Sequence, residues 1–494
     1  MQEYNKLFVG GDLSGIQKFL YNISSKKAAV SLKGRSFYLA KYMESVCKAL
    51  EDAARQAGAT SVKTIYSSGG KCYIITENSE AIKSAIDSCA QDLKVVLWEK
   101  HMGQLGLNIS YVAFCENADH TVNANGQENE QPGYLWKLVN ADFARQKNQK
   151  FKDILQANYV GFFQPLEVGG NTKVCAITGV ESPDCVKMLL DKDDKEEVYV
   201  LPSVREQIQL GESLRNTQHF KTFEEYAGNT DLGILRMDVD GLGKRFITGF
   251  QSIAEYEKFS KRLVDFFEKE VENLQKEDAF RDYLNIIYAG GDDLFIVGRW
   301  DKVIDFAERI QKETETRFKN DGISISGGIA IVNPKFPIAK AAELAGEAED
   351  AAKSFKNPVS GQEKNAFHML GKTISWENEF AYVKDYQQKF VTLIEQYSLS
   401  KGILHKIMLY ASIADMNKVR RQQGKPEDFS YIWHISYYLT RYMERYKSKN
   451  DTTITDFCKI LRDQELAKGK SRNLELMALA ARWAELKLRM KDNV

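Results

Sequence analysis

The chain has 494 residues, 43% of them hydrophobic and 28% charged, and its 68 basic side chains balance 68 acidic ones. That length exceeds one ordinary hydrophobic core and predicts about three or four domains, while zero net charge excludes polyanion binding by the molecule as a whole. Seven cysteines (Cys47, Cys72, Cys89, Cys115, Cys175, Cys185 and Cys458) form an odd set without a CxxC pair, which excludes a disulfide framework.

The opening MQEYNKLFVGG lacks a signal-peptide pattern, and no apolar run approaches the ~20 residues that span a bilayer. A soluble, cytoplasmic protein without membrane attachment is expected.

In chain order, residues 6–12 read as a strand, 33–57 as a helix, 62–68 and 71–76 as a hairpin around Gly69-Gly70, 78–98 as a helix and 105–115 as a strand. That is the βαββαβ order of a ferredoxin-like domain. ENADHTVNANGQENEQPG (116–133) is polar and reads as a loop; a helical stretch and a mixed segment with Cys175 and Cys185 follow. After residue 230 the βαββαβ order returns: strand GILRMDVD ending at Asp240, a helix around 251–276, strands 283–289 and 293–298 around a second Gly-Gly turn, a helix over 301–319 and strand ISISGGIAIV. Asp12 lies 57 residues before Gly69 and Asp238 lies 52 before Gly290, so the two halves read as copies of one domain.

Beyond Trp376 the apolar spacing is that of packed amphipathic helices. From Glu377 to Val494 there are 21 Lys+Arg against 15 Asp+Glu, about +6. This region is either the neighbour of a polyanion or a solvated helical surface. The expected class is α+β: two ferredoxin-like palm domains (1–120 and 229–376), a small mixed intervening domain (121–228) and a C-terminal helical bundle (377–494).

The second copy concentrates the chemistry. Asp238 falls near the end of its first strand and Asp292 and Asp293 at the tip of its hairpin. Strands one and three are central neighbours in this fold, so the carboxylates are expected on one edge. Clustered hard oxygens suit Mg²⁺ or Mn²⁺, and two such ions roughly 3.5–4 Å apart serve phosphoryl displacement. Gly290 and Gly291 permit the tight turn and close approach of a phosphate-bearing ligand. GLGKRF, with Gly241 and Gly243, offers backbone N–H groups to a triphosphate. Lys353 is either a further phosphate ligand or a surface lysine. The bland alternative for the whole hairpin is a solvated turn. In the first copy Lys71 stands in the place of the first acid, which excludes a metal there and leaves Lys71 facing phosphate or solvent.

GDLSGIQKFLY with SLKGRSFYLA, IYSSGGKCYII, LRMDVDGLGKRF and YAGGDDLFIVG together resemble the large polymerase and cyclase subunit of type III CRISPR interference complexes, over essentially the whole chain. A GGDD alone also suggests a diguanylate cyclase, which explains neither the doubled palm nor the helical C-terminus. The resemblance implies an ATP-using nucleotidyltransferase of antiviral defence that makes cyclic oligoadenylate when target RNA pairs with a guide RNA held by the assembled complex. It implies metal ions on Asp238, Val239, Asp292 and Asp293, and a nucleotide held by Gly241, Gly243, Phe246, Gly290, Gly291, Ser326 and Lys353. It further implies that Asp12, Ser14, Gly15, Ile16, Ser67, Ser68, Gly69 and Gly70 line a second nucleotide pocket. In the bland reading Asp12 and Ser14 cap a turn and Arg35 serves packing. Two alternatives stay open: transfer of AMP to S-adenosylmethionine, and a catalytically idle scaffold subunit.

Many relatives begin with an HD nuclease domain. Here none of the six histidines precedes an Asp, so DNA cleavage is not expected. The intervening domain of relatives often carries two cysteine pairs; with Thr178 where a partner of Cys175 would stand and Cys185 isolated, a structural zinc is not expected either.

Overall fold

The computed structural model describes residues 4–24, 27–157, 159–164, 172–189, 197–447, 451–466 and 471–492. The first half runs β1 (Lys6–Ser14), α1 (Ile16–Tyr21), α2 (Ala28–Gln56), β2 (Val62–Ser68), β3 (Lys71–Glu77), α3 (Glu80–His101) and β4 (Gly106–Glu116). These strands pair antiparallel in the order β2-β3-β1-β4, as the βαββαβ reading requires. β1 is buried along nearly all its length because both faces are covered. Leu7 and Val9 pack on Met43, Val46 and Ile86 of α2 and α3. Phe8 packs on Trp136, Val139 and Phe143 of α4 (Gly133–Lys147), which closes the other face.

The stretch 116–133 is not a plain loop. It contains the hairpin β5 (Val122–Ala124) and β6 (Gln127–Glu130), which extends the first sheet beyond β4. Asn123 explains why so polar a segment makes strands: its carboxamide oxygen accepts the Asn129 backbone N–H at 2.7 Å and the Asn117 side-chain amide at 3.2 Å. Side-chain amides here do what apolar alternation does in an ordinary strand.

Between the halves lie α5 (Lys152–Ala157), α6 (Tyr159–Phe163), the ribbon β7 (Lys173–Val174) with β8 (Glu181–Ser182), the ribbon β9 (Val186–Leu189) with β10 (Glu197–Val200), α7 (Pro202–Gln218) and α8 (Phe223–Ala227). α7 lies against α2 where Gly34 and Gly211 leave no room for a Cβ. Arg35, buried in that contact, donates to Gln207 Oε1 (3.0 Å) and to the carbonyls of Phe19 (2.6 Å) and Asn22 (2.9 Å).

The second half repeats the first: β11 (Leu232–Val239), α9 (Leu242–Thr248), α10 (Ile253–Asp265), a π-helical turn (Phe266–Glu270), α11 (Val271–Gln275), β12 (Leu284–Gly290), β13 (Asp293–Arg299), α12 (Trp300–Phe318), β14 (Ile325–Val332), α13 (Ile338–Lys353), β15 (Ala366–Met369) and β16 (Lys372–Ser375). Its order, β12-β13-β11-β14-β15-β16, matches that of the first sheet, but β15 runs parallel to β14 where β5 runs antiparallel to β4. Even an irregularity is shared: β2 slips register between Thr64 and Tyr66, and β12 between Ile286 and Tyr288.

After a π-helical turn (Trp376–Phe380) come five helices: α14 (Ala381–Gln396), α15 (Gly402–Gln422), α16 (Ser430–Arg445), α17 (Thr453–Ile460) and α18 (Ser471–Asp492). α18 buries Met477, Ala480 and Trp483 in the same core as Ile403 and Ile407 of α15 and Phe390 of α14. Among the described residues no helix is long and apolar enough to cross a membrane.

Candidate active site between the two palms

The pairing registers align the centres of the two palms residue for residue. In the first, Asp12 pairs with Lys71 and Asn108, and Ser68 pairs with Lys71 across a two-residue turn, Gly69-Gly70. In the second, Asp238 pairs with Asp293 and Ser326, and Gly290 pairs with Asp293 across the turn Gly291-Asp292. Thus Asp12 corresponds to Asp238, Asn108 to Ser326, Gly69 to Gly291, Gly70 to Asp292 and Lys71 to Asp293. Matching the letters GGKC to GGDD put Lys71 in the place of the first acid; the ladder puts it in the place of the second. The turns differ in kind, which is why the letters slip by one. Gly69 and Gly70 both have positive φ (57° and 79°), as a type I′ turn demands. In the second turn Gly291 (φ 68°) alone takes the positive position, leaving the next to a non-glycine, Asp292.

The two turns meet tip to tip. A Cβ on Gly69 would stand 3.0 Å from Gly291 Cα, and one on Gly291 would stand 2.9 Å from the Tyr66 hydroxyl. Ser68 Oγ accepts the Gly291 N–H at 2.8 Å and donates to Glu268 Oε1 at 2.5 Å. Beside this contact opens a cleft of about 310 Å³. Ile16, Leu20, Leu39 and Met43 give it an apolar wall from the first palm; Ser67, Ser68, Gly69 and Gly70 form one hairpin's edge; Gly290, Asp292, Asp293, Tyr288 and Glu268 form the opposite side. Behind it Trp136 stacks on Tyr256 (centroids 4.0 Å, planes at 8°), and Phe246 packs on Tyr66 and Tyr256.

The acids are held by a buried network. Tyr288 donates its hydroxyl to Asp293 Oδ2 (2.8 Å). Arg236, two residues before Asp238 and so on the same strand face, stands 3.8 Å from Asp293 Oδ2 and 3.0 Å from Glu349 Oε2. Lys353 is ion-paired with Asp238 and lies 3.5 Å from Glu349, one turn back on α13. Burial pushes the Asp293 carboxyl up to about 6 against the pull of Arg236, and Glu349 up to about 7. Burial also raises Asp292, with Lys71 opposing, and lowers the Lys353 ammonium to about 8. Burial likewise raises Glu268.

Among the described residues no three carboxylate, imidazole or thiol groups stand together as a ready-made metal cage. The donors nevertheless fit a divalent cation. Asp238 Oδ1 and Asp293 Oδ1, on paired positions of neighbouring strands, are buried and have no hydrogen-bond partner, and bare anionic oxygens in such a place call for a cation. Val239 lies beside them, its N–H on the Asp292 carbonyl (3.0 Å).

Of the other expected site residues, Ile16, Ser67, Ser68, Gly69, Gly70 and Gly290 line the cleft, and Gly291 lies at the hairpin contact. Asp12, Ser14, Gly15, Ser326, Gly241 and Gly243 do not line it. Asp12 is buried under Lys147 (2.9 Å) and the Asn108 amide (3.2 Å). Ser14 donates to the Gly106 carbonyl (3.0 Å) and Gly15 (φ 87°) presses on Gln104. Ser326 is fully buried and gives its hydroxyl to Asp240 (2.9 Å). Gly241 and Gly243 are exposed where α9 begins, beyond the end of β11. Arg236, Tyr288, Glu268 and Glu349 were not among the expected residues. Arg236 at two before Asp238 and Glu349 at four before Lys353 carry the signal that finds them, a shared strand or helix face. Glu268 carries none, because the π-turn that aims it is invisible in the letters.

Residues 231–366 match the family model of the Cas10/Cmr2 second palm domain, and residues 5–165 that of Csm1 subunit domain B. The chain is 28% identical over 425 residues to the CRISPR system single-strand-specific deoxyribonuclease Cas10/Csm1 (subtype III-A) of Enterococcus italicus, covering 73% of this chain and 54% of that protein. It spans little more than half the length of such relatives. In fold it is similar to the apo Csm1-Csm4 cassette (TM-score 0.67, 17% identity, 99% of this chain and 70% of that one). It is equally similar to the cassette in complex with pppApApA (TM-score 0.67, 16% identity, 99% and 70%).

Proposed function

From its matches to Cas10/Csm1 proteins, the large palm-domain subunits of type III CRISPR systems, we propose that the chain is an ATP-using nucleotidyltransferase that makes cyclic oligoadenylate. The observation that carries the reading is the tip-to-tip contact of the hairpins, which sets Asp292 and Asp293 on one side of a cleft whose other wall is the first palm. A palm working alone has no use for a second, acid-free copy of its own hairpin pressed against it. A cassette similar in fold is in complex with pppApApA, a 5′-triphosphorylated run of adenylates such as this condensation of ATP would build.

In the reaction the 3′ oxygen of one ATP forms a bond to the α-phosphorus of a second. The bond from that phosphorus to the bridging oxygen of its β-phosphate breaks, pyrophosphate leaves, and the hydroxyl proton passes to solvent. Repetition and ring closure follow. Mg²⁺ or Mn²⁺ bound by Asp238, Asp292, Asp293 and the Val239 carbonyl would supply a lowered hydroxyl pKa and charge neutralisation at the phosphates. The protein's own residues prepare this. Arg236 and Tyr288 fix Asp293; Lys353 balances Asp238 before a nucleotide arrives and is then free to face its triphosphate. Gly290, Gly291, Gly69 and Gly70 let phosphates approach backbone, and Ile16 and Ser67 face the nucleotide of the first palm. Gly241, Gly243 and Phe246 flank the nucleotide from the second, whereas Asp12, Ser14, Gly15 and Ser326 act as supports.

The reading includes a division into palms at 1–120 and 229–376, an intervening domain at 121–228 and a helical domain at 377–494, with the β5–β6 hairpin counted with the first sheet. It also includes assembly with other type III subunits in the cytoplasm, contact with guide and target RNA through that assembly, and no structural zinc in the intervening domain. The test is to assemble the complex with target RNA and labelled ATP, with and without S-adenosylmethionine. Cyclic oligoadenylate from ATP alone, lost in Asp292→Ala/Asp293→Ala without loss of assembly, is expected. Product that needs S-adenosylmethionine, or synthesis retained in the double variant, overturns the reading.

A further inference from the structure

In a two-residue hairpin turn the N–H of the first turn residue points away from the ladder and finds no partner in its own sheet. The Gly291 N–H is such a group, and it finds its acceptor in the other palm, Ser68 Oγ at 2.8 Å. The Ser68 hydroxyl is oriented in turn by Glu268, which takes its proton at 2.5 Å. Glu268 sits on the π-helical turn Phe266–Glu270 that interrupts the run from α10 to α11. An extra residue in a helix re-aims the side chains around it, and such turns gather at working sites. Here the turn brings an acid to the back of a hairpin 22 residues further along the chain, across from a hydroxyl 200 residues earlier.

We propose that Ser68, braced by Glu268, is a positioning residue that sets the Asp292–Asp293 tip through the Gly291 N–H, so that the palm with the acid-free hairpin holds the metal-binding acids of the other in register. The inference rests on the nucleotidyltransferase reading for its kinetic consequence but not for its structural one. Ser68 Oγ has one proton, donated to Glu268, and one of its two lone pairs accepts the Gly291 N–H. With its only donor committed, Ser68 has none left for a phosphate, and what it holds is the hairpin.

The experiment uses the full chain in its assembled complex for kinetics and the full chain without nucleotide for Mn²⁺ binding by electron paramagnetic resonance. Ser68→Ala leaves the buried Gly291 donor unmet, a loss worth about tenfold in an equilibrium or rate. The expected result is turnover down about tenfold, KM for ATP within about twofold of wild type, and Mn²⁺ affinity reduced several-fold. Ser68→Thr, which keeps the hydroxyl, restores both readouts. Glu268→Gln, which keeps an acceptor for Ser68, stays near wild type, whereas Glu268→Ala resembles Ser68→Ala and serves if the latter does not fold. A raised KM with turnover unchanged makes Ser68 a nucleotide contact and overturns the proposal, as does Mn²⁺ affinity unchanged in Ser68→Ala. Should the wild-type complex make no oligoadenylate while Ser68→Ala still weakens Mn²⁺ binding, the functional reading falls and the positioning role stands.

Discussion

The two palms share a strand order, a bulge, and a lysine at the end of a helix that pairs with the aspartate of the central strand: Lys147 on Asp12 in one, Lys353 on Asp238 in the other. What differs is the third partner. In the first palm the Asn108 amide donates to Asp12 Oδ2, the oxygen that Lys147 also meets, and to the Asp12 backbone carbonyl. In the second the residue at that register, Ser326, turns away to Asp240, and the acid across the ladder, Asp293, replaces Lys71. Asp12 therefore gathers two donors on one oxygen, whereas Asp238 keeps a bare buried oxygen beside that of Asp293. The same backbone makes a closed ion pair or an open cation site, according to which way two side chains on flanking strands donate.

Four experiments break or sharpen that comparison. The largest effect is expected where bare oxygens are removed: Asp292→Ala/Asp293→Ala should lower product by at least about a thousandfold, several kcal/mol of lost charge stabilisation, with Asp12→Ala in the first palm costing less than about tenfold. Equal losses from the two would erase the distinction between the palms.

Next is Gly69→Ala. It demands positive φ from a residue with a Cβ and drives that Cβ against Gly291, a combined strain of about 1–3 kcal/mol. We expect a Tm lower by several degrees and a comparable fall in turnover; an unchanged Tm would mean that the hairpins do not touch in solution.

The third is pH. Asp293 is raised to about 6 and Glu349 to about 7, so in the folded chain both keep protons that the unfolded chain releases near pH 4. Their contribution to stability is then complete below about pH 4 and is lost as pH rises through about 6 to 7. Cation binding runs the other way, because it needs the carboxylate. Mn²⁺ affinity should climb between about pH 5 and 7 while the apo chain loses stability over the same window, and Glu349→Gln should flatten the stability slope. Parallel slopes would sink the account.

The smallest effect is expected from Lys353→Met. Loss of the ammonium should raise KM for ATP a few-fold and, by uncovering Asp238, strengthen Mn²⁺ binding in the absence of nucleotide. Weaker Mn²⁺ binding would show that Lys353 supports the acid instead of covering it.

The doubled βαββαβ order was legible because it rests on hydrophobic alternation and turn chemistry, both local. Asp238, Asp292 and Asp293 were legible for the same reason, since a Gly-Gly turn followed by acids announces itself. The identity of Lys71's counterpart was not, because it depends on which of two turn types closes each hairpin, and that follows from φ at Gly70 and Asp292. The hairpin within 116–133 was hidden by its polarity: Asn123 and Asn117 bond to each other and to backbone, and no apolar pattern marks them. The roles of Ser326 and Ser68 were beyond reach altogether. Each hydroxyl is committed to a residue 86 or 223 positions away, and such partners exist only once the sheets are folded and docked.

The contact between the two glycine tips has a consequence for inheritance. Gly69 and Gly291 occupy one small volume, so a methyl group gained at one position is tolerated only if the other turn retreats. The acid-free copy is thus not at liberty to drift as a silenced duplicate usually does. Substitutions in it are judged by the fitness of its twin, and the two turns should change together across lineages or not at all.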